Sequence, residues 1–280
     1  MKYIVVPQWY GACKKGSDAG ALRLAEIFER EGVREYSRVS VSDAAMGDDT
    51  LMPYFPVIDD VSRTLCKAVS SALSAEIKVI TIGGDHSVSW GSIAGALEHN
   101  PEVGVIYLDA HGDCNIAERS PSHRIHGMHM AYLMGFGSDE YLGRYTKNIL
   151  PVNNILYVGV RSLDPYEVEL MNGFSISRIS SDFINTNISG TLEKISGFMS
   201  RFKRIHVSLD IDVLDPSVAP GTGVPEQAGI SEESLYELLD LILNRDKVDS
   251  LDFVEYNPKY DIDGRTDKVV QKIAKRLSLL

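Results

Sequence analysis

Acidic and histidine side chains that could bind metal fall in three short clusters of this chain. Asp109-Ala110-His111-Gly112-Asp113 sets three possible ligands at alternate positions, with small residues between them. In extended backbone, alternate side chains point to one side, so Asp109, His111 and Asp113 are expected to share a face. Ser208-Leu209-Asp210-Ile211-Asp212-Val213-Leu214-Asp215-Pro216 repeats the pattern with Asp210 and Asp212. Asp215 precedes Pro216, where the chain must turn, and is expected to be structural. Gly83-Gly84-Asp85-His86-Ser87 adds His86 after two glycines that permit a sharp bend. Alone, that last string also reads as an ordinary strand-to-helix turn in which Asp85 or Ser87 caps the helix.

Charged side chains are rarely buried unless they are paired or bind metal. Four carboxylates and two imidazoles exceed what one divalent ion needs beside a hydrolytic water, whereas two ions sharing bridging carboxylates use them all. A mixed oxygen and imidazole set suits Mn²⁺ or a similar ion better than Ca²⁺ or a thiolate-bound Zn²⁺. Two such ions about 3.5–4 Å apart can lower the pKa of a shared water enough to give hydroxide at neutral pH. The chemistry indicated is two-metal hydrolysis.

Something must deliver the clusters to one place. Each follows an apolar, β-branched run of the kind that forms strands buried on both faces. Strands are expected at 3–6, 78–82, 103–108, 155–160, 175–179, 205–209 and 251–254. Helical patterns fall at about 19–31, 58–76, 88–98, 127–136, 189–200, 232–244 and 266–278. Ser231-Glu232-Glu233 opens one with a capping serine and early acids. Such alternation predicts an α/β fold with a mostly parallel sheet, whose ligands sit beyond the carboxyl ends of the strands.

The 280 residues are 44% hydrophobic and 24% charged, an ordinary globular composition able to bury a large core. A net charge of -11 without a basic patch argues against nucleic acid and anionic membrane, and weakly favours a cationic substrate. Cys13, Cys66 and Cys114 are odd in number and form no CxxC pair, which speaks against a disulfide framework and for a reducing compartment. Cys114, beside Asp113, reads as packing. The apolar run near the N-terminus is too short for a signal segment, and no stretch approaches bilayer-spanning length, so a cytoplasmic location is expected.

The strings GGDHS, DAHGD and SLDIDVLDP, with Ala219-Pro220-Gly221-Thr222-Gly223-Val224-Pro225 and Val254-Glu255-Tyr256-Asn257-Pro258, resemble the arginase, agmatinase and formiminoglutamase family of ureohydrolases. Order and spacing agree from about residue 80 to 266, the earlier part matching more loosely. The resemblance implies a three-layer α/β/α sandwich with a central, mostly parallel sheet, and a single domain over 1–280. It implies two Mn²⁺ per chain, one held by His86 and Asp113, the other by His111 and Asp212, with Asp109 and Asp210 bridging. Hydroxide would attack a guanidinium carbon, giving urea and an amine. Asp113 would accept its hydrogen bond and pass a proton to the leaving nitrogen. Glu255 would receive the guanidinium, and His126 would shuttle protons. A homo-oligomer, trimer or hexamer, is also implied.

Within that family the resemblance is closest to the arginases, which implies L-arginine as substrate. Asn115 and Ser122 fall on positions used for its α-carboxylate, Asp164 on that for the α-amino group, and Glu167 nearby. His126 follows Asp109 by 17 positions, as in arginases; agmatinases have a shorter loop. Three departures stand out: Ser120 replaces threonine, Ser122-His123-Arg124 carries bulky residues where glycine and asparagine are usual, and Val224 replaces a hydroxyl residue. Agmatine, guanidinobutyrate and formiminoglutamate share most of the remaining features. A metal-bound regulatory subunit and a one-Zn²⁺ deacetylase are the readings from other classes. His129 is expected to pack or lie at the surface, and His206 is given no role.

Overall fold

In the computed structural model, which describes residues 1–12, 14–43, 51–244 and 246–279, the apolar runs become strands. They are β1 (Lys2–Val6), β2 (Ser37–Arg38), β3 (Val79–Gly83), β4 (Gly104–Leu108), β5 (Ile155–Val160), β6 (Ser177–Ser180), β7 (Ile205–Asp210) and β8 (Val248–Val254). Every residue of β3, β4, β5, β7 and β8 is buried, as expected of central strands covered on both faces. The helices are α1 (Ser17–Arg30), α2 (Phe55–Ser74), α3 (Val88–His99), α4 (His129–Leu133), α5 (Pro165–Gly173), α6 (Ser181–Thr186), α7 (Ile188–Ser200), α8 (Glu232–Leu243) and α9 (Arg265–Leu277). Ser231 caps α8 by accepting the Ser234 N–H at 3.1 Å, as its position predicted.

The strands form one sheet in the order β2-β1-β3-β8-β7-β4-β5-β6, and every pair is parallel. Along β4, Val105 and Tyr107 join a core with α2, α3, α4 and α5, whereas Ile106 and Leu108 join one with α1 and α6 to α9. The result is the expected three-layer α/β/α sandwich. A Cβ on Gly91 would lie 2.6 Å from the Ser62 carbonyl oxygen, and one on Gly95 2.7 Å from that of Cys66. Those two glycines let α3 lie close against α2. Among the described residues no helix is long and apolar enough to cross a membrane.

Several boundaries differ from the sequence expectation. β2, α5 and α6 were not anticipated: β2 is two polar residues, and α5 and α6 open on Asp164-Pro165 and Ser180-Ser181, which read as turns. The helix expected at 127–136 is the five residues of α4 behind a 3-10 turn, Ile125–Gly127. β8 starts three residues early, because Asp249 and Asp252 are buried in it against Arg204 and His206. Cys66 and Cys114 are free and buried. Cys13 and Leu280 lie outside the described residues.

Candidate metal centre and active site

β4 and β7 lie side by side with Leu108 opposite Leu209, so their two acidic clusters leave the sheet at the same edge. The pleat does not carry the ligands further. β4 ends at Leu108, and beyond it Asp109 Oδ1 accepts the His111 N–H at 2.7 Å. Asp210 Oδ1 accepts the Asp212 N–H at 2.7 Å in the same way, and Ile211–Val213 continues as a 3-10 turn. Each cluster folds around the side chain of its first aspartate. Asp113 adopts a left-handed backbone, φ 49°. These acids and histidines converge at one sheet edge, but through side-chain-closed turns instead of extended chain.

His86 Nδ1 lies 2.9 Å from Asp109 Oδ2 and 3.1 Å from both Asp113 Oδ2 and Asp210 Oδ2. His111 Nδ1 lies 3.1 Å from Asp212 Oδ2 and 3.4 Å from Asp109 Oδ1. Asp109 therefore turns one oxygen toward each imidazole. Two groups able to hold a cation share Asp109: His86 with Asp109 and Asp210, and His111 with Asp109 and Asp212. Asp210 belongs to the first; its other oxygen is the one engaged by Asp212.

Burial alone would push the His86 pKa down, but Asp109, Asp113 and Asp210 outweigh it and raise it well above the ordinary range. His111 is raised against its burial by Asp212 and Asp109. Burial, then Asp212 and Asp109, raises the Asp210 carboxyl. Asp109 Oδ2 is buried without a hydrogen bond, although His86 Nδ1 is 2.9 Å away, and His111 Nε2 likewise makes no hydrogen bond. Oxygens and imidazole nitrogens crowded together with an orphaned carboxylate oxygen fit divalent cations.

Behind this group runs a buried polar row that sequence reasoning missed. His86 Nε2 meets Ser208 Oγ at 2.8 Å, and Ser208 Oγ meets Ser89 Oγ at 3.1 Å. Asp252 accepts from Ser92 and sits 3.1 Å from His206 Nε2, while His206 Nδ1 lies 2.8 Å from Ser250 Oγ. His206 thus belongs to a buried hydrogen-bonded group with Asp252 and Ser250. Tyr107 stacks on His86 with ring centroids 4.7 Å apart and donates to Asp113 Oδ2 at 2.7 Å. His129, expected to pack or lie outside, is fully buried in contact with both. Burial and then His86 push its pKa down to about 4. In a buried strand a tyrosine reads as core, and only the three-residue interval from His126 hinted at His129.

A cleft of about 260 Å³ opens above the floor formed by His111, Asp113, Asp210 and Asp212. Glu255 and His126 stand together on one wall: Glu255 Oε1 accepts the His86 N–H at 2.9 Å and lies 3.1 Å from His126 Nδ1. Asn115, Ser122 and Asp164 also line the cleft, and Asn115 Nδ2 donates to Asp164 Oδ2 at 2.9 Å. Glu167 lines it too, but its oxygens already accept the Cys114 and Asp164 N–H groups, each at 2.9 Å. Burial raises the Glu167 pKa to about 7. Glu226, which the sequence reading passed over, lines the cleft with its Oε1 3.7 Å from His111 Nε2. No described Lys or Arg lines the cleft, and neither His123 nor Arg124 does. His123 Nδ1 instead turns to the Ala117 carbonyl at 3.2 Å.

A family model described as the Arginase family matches residues 4–279. The chain is 33% identical over 278 residues to an arginase of Staphylococcus aureus (strain MRSA252), covering 94% of this chain and 91% of that one. It is 31% identical over 280 residues to an arginase of Bacillus caldovelox, covering 95% and 93%. Its fold is similar to the crystal structure of Entamoeba histolytica arginase in complex with L-ornithine, with TM-score 0.90 and 30% identity over 100% of this chain and 97% of that one.

Proposed function

This chain belongs to the arginase family, a family of metal-dependent hydrolases of C–N bonds in linear amidines, and from that premise we propose that it cleaves L-arginine to L-ornithine and urea. The observation that carries the proposal is the pair of ligand groups sharing Asp109, at the floor of a cleft walled by carboxylates. His86, Asp109, His111, Asp113, Asp210 and Asp212 would hold two divalent cations of the Mn²⁺ kind. When bound, such a pair supplies a water of lowered pKa as nucleophile.

The chain's own groups do the rest. Asp113 accepts the proton of the attacking water and hands it to the leaving nitrogen. Glu255, held by the His86 N–H and by His126, receives the guanidinium and fixes its carbon above the floor. His126 carries protons between floor and solvent, for which an imidazole is suited. Asp164 receives the α-amino group, while Asn115 and Ser122 meet the α-carboxylate. Glu167 acts through Asp164, tying the start of α5 to the chain after Asp113. We place the enzyme in the cytoplasm on its cysteine usage, and as a homo-oligomer, trimer or hexamer, on the family resemblance.

One observation favours agmatine as a second reading: no described Lys or Arg lines the cleft to meet a carboxylate. The deciding experiment loads the protein with Mn²⁺ and assays urea from L-arginine, agmatine and guanidinobutyrate, and formamide from formiminoglutamate. Arginine is expected to give the highest kcat/KM. Urea from agmatine alone would select the second reading, and no urea from any guanidino compound would overturn both. Metal analysis is expected to find two ions per chain; one ion would point to deacetylase-like chemistry.

A further inference from the structure

His129 opens α4 with none of its surface exposed, and its Nδ1 lies 2.9 Å from the His126 carbonyl oxygen. A carbonyl only accepts, so Nδ1 carries the ring hydrogen and Nε2 is left with a lone pair. That lone pair is directed inward, 3.1 Å from the Tyr107 hydroxyl. An imidazole whose outer nitrogen donates to a backbone carbonyl is oriented as metal-binding histidines are. His86 is built alike, with Nε2 on Ser208 and Nδ1 turned to the carboxylates.

The hydroxyl between these rings has one hydrogen to give. It faces two acceptors, Asp113 Oδ2 at 2.7 Å and His129 Nε2 at 3.1 Å, with His86 Nδ1 beside it at 3.1 Å. Tyr107, His86 and His129 are at most 1% exposed, so water cannot make up the shortage from their side. Buried acceptors in excess of donors call for a cation. The ligand atoms of His86, Asp113 and His129 lie within 4.8 Å of one another, in a third group that shares His86 with the first.

We infer that His129 is a further nitrogen ligand of the cation held by His86 and Asp113. This rests on the two-cation reading above and changes the ion expected in one of the two positions. The His111 group has one imidazole; the His86 group then has two. Added nitrogen donors favour ions later in the divalent series, so the His86 position should prefer Co²⁺ or Fe²⁺ over Mn²⁺ more strongly than the His111 position does. With His129 on the cation, Tyr107 keeps Asp113 as its acceptor.

The test strips the protein with a chelator and titrates Mn²⁺ and Co²⁺ separately into wild type and His129→Phe. The Co²⁺-over-Mn²⁺ affinity ratio at one of the two positions should fall about 10-fold in the variant. X-ray absorption of the fully Co²⁺-loaded wild type should count three imidazoles shared by two ions. An unchanged ratio in a folded His129→Phe protein, or a count of two imidazoles, would overturn the assignment. The wild-type count decides if the variant does not fold. The two readings fail differently: loss of the ureohydrolase reading appears as no urea from a protein that still binds two ions with three imidazoles. Loss of the His129 assignment appears as two imidazoles in a protein that still releases urea.

Discussion

Asp210 takes the backbone N–H of Asp212 on its Oδ1 at 2.7 Å, so one side chain both shapes the turn and turns its other oxygen to His86. Substitution separates these tasks. Asp210→Asn keeps an acceptor for the turn and removes the charge, so the metal-free protein should retain its Tm while Mn²⁺ affinity falls at least about 100-fold. Asp210→Ala removes both and should also lose about 1 kcal/mol of stability. Thermal denaturation and metal titration of the two variants check this; equal Tm values would show that the turn does not need the side chain.

Asp164 is joined to Asn115 at 2.9 Å and stands at the N-terminus of α5. Asp164→Asn preserves the helix cap, so its effect should report on substrate. kcat/KM for L-arginine should fall about 100-fold and that for guanidinobutyrate by less than about 3-fold, since arginine carries the α-amino group to be paired and guanidinobutyrate does not. Equal losses on the two substrates would remove Asp164 from recognition.

Arg161 gathers backbone carbonyls from two stretches of the β7–α8 connection and from the end of β5. Its Nη2 lies 2.7 Å from the Asp212 oxygen and 2.9 Å from that of Glu226, and its Nε 2.9 Å from that of Gln227. It also reaches the carbonyls of Gly159, Val213 and Leu214. Arg161→Met should destabilise the fold by about 2–4 kcal/mol by leaving buried carbonyls unpaired. Arg161→Lys should recover only part, because an ammonium cannot reproduce the guanidinium fork. Urea denaturation measures both, and a loss below about 0.5 kcal/mol in the Met variant would contradict the clamp.

Arg23 and Asp267 join α1 to α9 through two parallel contacts, Nε to Oδ1 at 2.8 Å and Nη2 to Oδ2 at 3.0 Å. The Arg23 hydrogen bonds hold the Asp267 carboxyl below its ordinary 3.8. The unfolded chain therefore takes up this proton more readily, so the stabilisation is present above the ordinary value and is lost as pH falls through the folded one. Both side chains are partly exposed, which limits the cost of Asp267→Asn to about 1 kcal/mol at pH 7. The gap between wild type and variant should narrow below about pH 4 in denaturant titrations. A gap that stays constant down to pH 3 would assign the cost to something other than the ion pair.

The layer architecture and all but one of the longer strands were legible within a few residues, because burial on both faces leaves a continuous apolar run. The exception, β8, begins in residues that look polar in sequence but are paired when folded. α5 was illegible because its opening Asp164-Pro165 signals a turn as well as a helix start. The acid and histidine clusters were legible because each sits where an apolar run stops.

By itself, then, the sequence determined which residues end the strands and so which side chains could meet at one edge, since run length and residue type are local properties. Only the tertiary structure decided how they meet. It set β4 beside β7, closed Asp109 and Asp210 onto their own turns, and excluded His123 and Arg124 from the cleft wall. It also brought His129 to Tyr107 and His86, across 22 and 43 positions of chain. Contacts at that separation depend on how α4 packs against the sheet, and no spacing rule records them.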